Sequence, residues 1–338
     1  MRELRIVVAA VIVAAAAATA AMAAKPPSGS SIGTGQVFFP NPVAQTGNQD
    51  LTDKKDADYP LLAPAYTTVT LTNLDGSGFL RGDWANIRSE TGNPAYSASN
   101  TFVYGRDDDR FEQVMAYYWV TEAQKYIRSL GFGTGTYPAV NAESQDLRIN
   151  QWGLDNSYSW DKHDVIRLGK GGVDDAEDAE VILHEYGHAI HDSQVAGFGT
   201  SLEAGSIGEA FGDYWAVTVA NVVSGNGYDL ACVADWDAVS YTPAPHCLRR
   251  TDRNLVYPDD LTGSVHRNGQ IWSRALWDIR GALGATTADT IILLAQFDFA
   301  PDTSFADAAA ATVAVAQDEF GGVEAAAVQA AFEARGIL

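Results

Sequence analysis

Residues 181–192, VILHEYGHAIHD, set His184 and His188 four positions apart around Glu185, with His191 three positions further on. On an α-helix four positions are about one turn along one face, so the two imidazoles stand about 6 Å apart along the axis and can converge on one ion. Glu185 lies beside the first histidine, close enough to act as general base on a water at that ion without ligating it; this is the H-E-x-x-H pattern. By itself the pattern also suits an ordinary apolar helix that carries imidazoles, so the rest of the chain has to decide. His191 stands about 10 Å along the axis from His184, too far to share a tetrahedral ion with bonds of about 2 Å. The longer pattern H-E-x-x-H-x-x-G-x-x-H also fails, with His191 in place of its glycine and Gln194 in place of its third histidine. His191 is therefore read as structural, or as standing behind the ligands.

The next apolar segment carries a third ligand. In SIGEAFGDYWAVTVANVV, from Ser206, Glu209 and Asp213 are the sole charged residues between Ala204 and Tyr228. An unpaired carboxylate is costly to bury, so a helix of this kind needs a positive partner. Zinc bound by His184, His188 and Glu209 provides one. Asp213, one turn on, can accept the spare N–H of a ligating histidine and fix its tautomer. The alternative is that both carboxylates face solvent at a helix edge.

Around this centre the chain is acidic, with a formal charge of −21 over 338 residues. That argues against nucleic acid or an anionic membrane surface as partner, because both rely on clustered Lys and Arg. Residues 1–24 start with two arginines, run uncharged from Ile6 and end in small residues near Ala23. They read as a cleaved secretory signal peptide, which predicts a secreted protein with no membrane association after cleavage. In an oxidising compartment Cys232 and Cys247, the two cysteines of the chain, are expected to pair as a disulfide.

Residues 25–65, rich in Pro, Gly, Ser, Thr and Asp without an apolar period, read as an N-terminal extension or short pro-segment. TTVTLTNLDGSGFL, from Thr67, alternates and turns at Asp75-Gly76, which predicts a hairpin. The helical period from Arg110 ends at Gly131, and LRIN and DVIRLG are short strand candidates. DDAEDAE, 174–180, is acidic enough for calcium but is read as complementing the dipole of the helix that follows. The whole is an α+β layout: a β-rich lobe over 66–192, ending in the histidine helix, and a helical lobe over 193–338.

HEYGH (184–188), GEAFGD (208–213) and SVHRNGQIW (264–272) together resemble the thermolysin-like zinc metalloproteases, and more closely their fungalysin-like relatives. The resemblance runs from about Arg110 to the C-terminal RGIL. It implies a two-lobed fold with the histidine helix at the junction, one zinc per chain, and peptide or protein substrates. In DNSYS, 155–159, it implies a substrate-binding edge with Asn156 on the peptide backbone. It also implies Arg249, with Arg250 as substitute, on a substrate carbonyl, and a preference for apolar side chains just after the cleaved bond.

There are departures from that pattern. The family's tyrosine after the second zinc histidine has no match in AGFGTSLEAG, from Ala196, which leaves more of the transition state to His266. Asp260 is its candidate orienting partner. The calcium carboxylates expected after the third-ligand helix are not found where Ala220 to Gly227 are uncharged, so Ca2+ is without a clear site. The expected function is a secreted zinc metalloendopeptidase with Glu185 as general base. A zinc exopeptidase and a catalytically silent, zinc-stabilised adhesion or binding protein are the alternatives.

Overall fold

A computed structural model describes residues 31–88 and 93–338. The expected signal peptide lies outside the described residues, and no helix among them is long and apolar enough to cross a membrane.

Strand β1 (Ser31–Phe38) is the middle of a three-stranded sheet. It is antiparallel to β2 (Tyr66–Leu74), with Phe38 opposite Tyr66, and parallel to β4 (Thr101–Phe102), with Gly35 opposite Phe102. This corrects two expectations. Residues 31–65 are not an appended extension: Val37 and Phe38 are fully buried, and β1 holds the sheet together. Its period is hidden because two inward positions are Gly33 and Gly35, where an added Cβ would lie 2.6 Å from the Asn100 carbonyl oxygen and 2.8 Å from Val114. The turn at Asp75-Gly76 forms, with Gly76 at φ 81°, but the return is an isolated bridge between Leu74 and Gly82 and the main partner of β2 is β1.

A short helix α1 (Pro42–Thr46), capped by the Asn41 side chain, leads out of β1. Helix α2 (Arg110–Ser129) then buries one long face, with Phe111 packing edge-on against Phe38 at 4.7 Å between ring centres. The second sheet has the order β3-β5-β7-β6, where β3 is Ala85–Ile87, β5 is Gln145–Arg148, β6 is Tyr158–Trp160 and β7 is Val165–Arg167. Three strands are parallel, and β6 closes the edge antiparallel to β7, with Trp160 opposite Val165.

From there the chain is mainly helical. Helix α3 (Ala179–Gln194) is capped by Asp178, whose carboxylate accepts the Glu180 N–H at 2.9 Å. Helix α4 (Leu202–Ser224) is capped by Ser201 and ends at Gly225 in the left-handed region. A small ribbon, β8 (Cys232–Val233) with β9 (Arg249–Arg250), precedes α5 (Val265–Leu283), α6 (Ala285–Gln296), α7 (Phe305–Glu319) and α8 (Gly322–Glu333). Cys232 and Cys247 pair as a disulfide that staples the ribbon.

The chain is thus the expected α+β layout, with a small-sheet region followed by a helical C-terminal region. One continuous core joins the two, running from Val37 through Trp119, Tyr186 and Trp215 to Ile337.

The acidic run does meet the N-terminus of α3, with Asp178 as its cap and Glu180 in its first turn, but inside the protein rather than in solvent. A dipole complement at a solvated helix end would be exposed, yet Asp174, Asp175, Glu177, Asp178 and Glu180 are all buried. The first turn of α3 plunges into the protein, and local partners take up most of these groups. Glu177 receives the Arg106 guanidinium at 2.8 Å and the Trp236 indole N–H at 3.1 Å, and Glu180 accepts the Ala234 N–H at 2.6 Å.

Candidate active site

Helices α3 and α4 cross so closely that a side chain at the crossing is excluded on both. A Cβ on Gly187 would lie 2.9 Å from the Gly212 Cα, and one on Gly212 would lie 2.7 Å from His184 Nδ1. The crossing brings His184, His188 and Glu209 together, with one donor atom from each within 4.8 Å of the others. His184 Nε2 is 3.2 Å from His188 Nε2 and 3.4 Å from a Glu209 oxygen, and His188 Nε2 is 3.7 Å from the other Glu209 oxygen. Donors on a tetrahedral ion with bonds of about 2 Å are separated by about 3.3 Å, so these distances suit zinc. Glu209 Oε2 is buried without a hydrogen-bond partner, an orphaned acceptor of the kind an ion satisfies. The donor set of two imidazoles and one carboxylate is also a zinc set.

Behind the first histidine, His184 Nδ1 lies 2.9 Å from Asp213 Oδ1. Asp213 is held in turn by Arg249, whose Nε and Nη2 donate to its two oxygens at 2.7 and 2.6 Å. Arg249 sits on β9, so the disulfide-stapled ribbon braces Asp213 and, through it, the ring of His184.

Burial alone would lower His184, but the neighbouring Asp213 and Glu209 carboxylates outweigh it and raise the imidazole to about 10 in the metal-free site. Burial opposes ionisation of Glu209 too, yet His184, His188 and His266 hold it far below the ordinary carboxylate range. Glu185, 7% exposed, is pushed up to about 7 by burial.

His266, in the first turn of α5, points Nε2 at Glu209 Oε2 from 3.3 Å and is 56% exposed, at the mouth of the site. Gly269 on α5 allows this approach, since a Cβ there would lie 3.1 Å from the Ser206 carbonyl oxygen on α4. Asp260 does not take the orienting role expected of it: its carboxylate accepts the Val256 N–H at 2.9 Å. His191 is 2% exposed and stacks on Phe198 at 3.8 Å, and neither ring nitrogen has a partner.

A cavity of about 380 Å3 opens from Glu185, lined by Asn156, Arg249 and His266 among others. Asn156 is exposed just ahead of the edge strand β6. Arg250 does not line this cavity; it pairs with Asp229 and Asp252. Three further lining residues escaped the reading of the sequence: Asp155, Asp237 and Tyr241. Asp155 was within reach, one position before Asn156, whereas Asp237 and Tyr241 arrive through a long loop with no periodic signal.

The α-helical domain of thermolysin metallopeptidases, as a family model, matches residues 196–337. Extracellular metalloproteinase mep of Aspergillus niger is 29% identical over 115 residues, which are 31% of this chain and 18% of that protein. Extracellular metalloproteinase 9 of Uncinocarpus reesii is 26% identical over 156 residues, 44% of this chain and 23% of that protein. The chain therefore spans less than a quarter of the length of either curated relative. In fold it is similar to the precursor of protealysin, a metalloproteinase from Serratia proteamaculans, with a TM-score of 0.54 at 18% identity over 66% of this chain and 78% of that one. Family model, relatives and fold agree: residues 196–337 are similar to the helical domain of thermolysin metallopeptidases, and the chain as a whole resembles thermolysin-like metallopeptidases in fold.

Proposed function

We propose that the protein is a secreted zinc metalloendopeptidase whose centre is His184, His188 and Glu209, with Glu185 as general base. The observation that carries this reading is the meeting of three zinc-type donors at near-tetrahedral spacing around an orphaned Glu209 oxygen, with a buried carboxylate beside them. When bound, zinc supplies the Lewis acidity that lowers the pKa of a water and polarises a carbonyl. Glu185, raised toward neutrality by burial, is suited to take a proton from the attacking water and pass it to the leaving nitrogen. His266, half exposed at the mouth, offers a hydrogen bond to the oxyanion that develops on the substrate carbonyl. Asp213, braced by Arg249, fixes the His184 ring. Edge strand β6 offers an unpaired side to an extended peptide. Asn156 and Arg249 are positioned at the cavity to hold that peptide.

Export of the natural relatives, which are named as extracellular, and the disulfide support secretion. The test is hydrolysis of an internally quenched peptide blocked at both ends, with chelator and with zinc restored. Cleavage that chelator stops and zinc restores is expected. Cleavage restricted to peptides with a free terminus would make the enzyme an exopeptidase, and zinc binding without cleavage would favour a silent zinc-stabilised protein.

A further inference from the structure

The cavity beside Glu185 has an unusual wall. Val181, Val233 and Leu248 make one part of it apolar, while Asp155, Asp175 and Asp237 each bring a carboxylate oxygen within 4.8 Å of the others. Asp175 is 2% exposed and Asp237 4% exposed, and one oxygen of each is buried without any hydrogen-bond partner. Their other oxygens are occupied by hydroxyls, Ser157 on Asp175 and Tyr241 on Asp237. Among the described residues Arg249 is the one lysine or arginine that lines the cavity, and its Nε and Nη2 are bonded to Asp213 rather than to these three carboxylates. Burial lifts Asp175 to about 7 and Asp237 well above the ordinary range, and no cation offsets either. Left alone, such carboxyls hold their protons near neutral pH, and a cation entering beside them would let them ionise.

We propose that Asp155, Asp175 and Asp237 form a recognition pocket for a lysine or arginine side chain of the substrate. The apolar wall suits the methylene stem of such a side chain, and the carboxylates suit its charged head. The cavity of about 380 Å3, which runs from His184 and His266 to the three aspartates, has room for a substrate side chain.

The pocket also has a direction. It is lined by Val181, His184 and Glu185 of α3 but not by His188, so it runs from the general base toward the N-terminal end of that helix. Glu185 hands its proton to the leaving nitrogen, so the side chain that enters belongs to the residue following the cleaved bond. This replaces the apolar preference that the family resemblance implies at that position, and it rests on the peptidase reading above.

The test uses the full chain with one equivalent of zinc and a mixture of end-blocked peptides carrying Lys, Arg, Leu, Phe or Glu after the scissile bond. Mass spectrometry of the products reads the preference. Lys and Arg are expected to exceed Leu and Phe by about 10-fold or more, because a site with buried polar groups rejects a side chain that leaves them unpaired. The Asp155→Asn substitution, at an exposed position, should shrink that ratio, and Asp175→Asn should shrink it further. Cleavage with Leu or Phe preferred in the wild type would overturn the pocket assignment while leaving the peptidase reading intact. Stoichiometric Ca2+ binding that Asp155→Asn abolishes, with cleavage indifferent to Lys and Arg, would make the three carboxylates a cation site and equally overturn it. Absence of cleavage in every peptide would overturn the peptidase reading and this proposal with it.

Discussion

His184 carries two obligations on one ring. Its Nε2 faces His188 and Glu209, while its Nδ1 faces Asp213, which Arg249 grips with two hydrogen bonds. Removing Asp213 frees the ring and strands the Arg249 guanidinium, so Asp213→Ala should weaken zinc binding by about 10 to 100-fold, as the loss of a ligand's orienting partner does. Glu209→Ala should weaken it considerably more. A zinc titration with unchanged affinity in both variants would place the metal elsewhere. At this scale much was legible in the sequence. Two histidines and a glutamate at helical spacing define directions before any fold is known, and Glu209 and Asp213 stand out as isolated charges in an apolar helix. Arg249 was expected on a substrate carbonyl, and its bond to Asp213 was hidden because a ribbon and a helix distant in sequence create it.

The helices depend on close approach as much as on propensity. At the crossing of α3 and α4 the obstacle to a Cβ on Gly187 is the Gly212 backbone, which cannot rotate away. Gly187→Ala should therefore destabilise the fold by about 1–3 kcal/mol, the usual cost of overpacking. Gly281, exposed on α5 with nothing within 4 Å of its added Cβ, is the control: Gly281→Ala should stabilise by up to about 1 kcal/mol through helix propensity. Denaturant unfolding of both variants measures this, and equal effects would mean that the crossing is looser than described. Elements with an apolar period, α2 and α4 above all, were legible in the sequence. Strand β1 was not, because glycines at its inward positions replace the apolar signal by an approach of neighbouring groups that only the fold reveals.

The whole molecule stores an excess of buried acid. Burial lifts Asp174 to about 8 and Asp175 to about 7, and it lifts Glu177 to about 7 despite the opposing Arg106 charge. An unfolded carboxyl titrates near 4. As pH rises from there the unfolded chain loses its protons first, so the stability these groups contribute when protonated is lost as pH climbs through their folded values. Below about pH 6.5 histidines with depressed values, such as His191 at about 3, act in the opposite sense. Between pH 7 and 8.5 that opposition has ended, and the raised His184 adds to the fall. The Tm of the metal-free protein should drop by several degrees across that window, and drop less in Asp174→Asn. A Tm that rises with pH there would show that these carboxyls are ionised in the fold.

The most direct test is the Glu185→Gln substitution, assayed for both zinc content and turnover of an end-blocked peptide. The three proposed ligands are untouched and only the base is removed, so one zinc per chain with hydrolysis abolished is the predicted result. Stoichiometric zinc with undiminished turnover would contradict Glu185 as the general base.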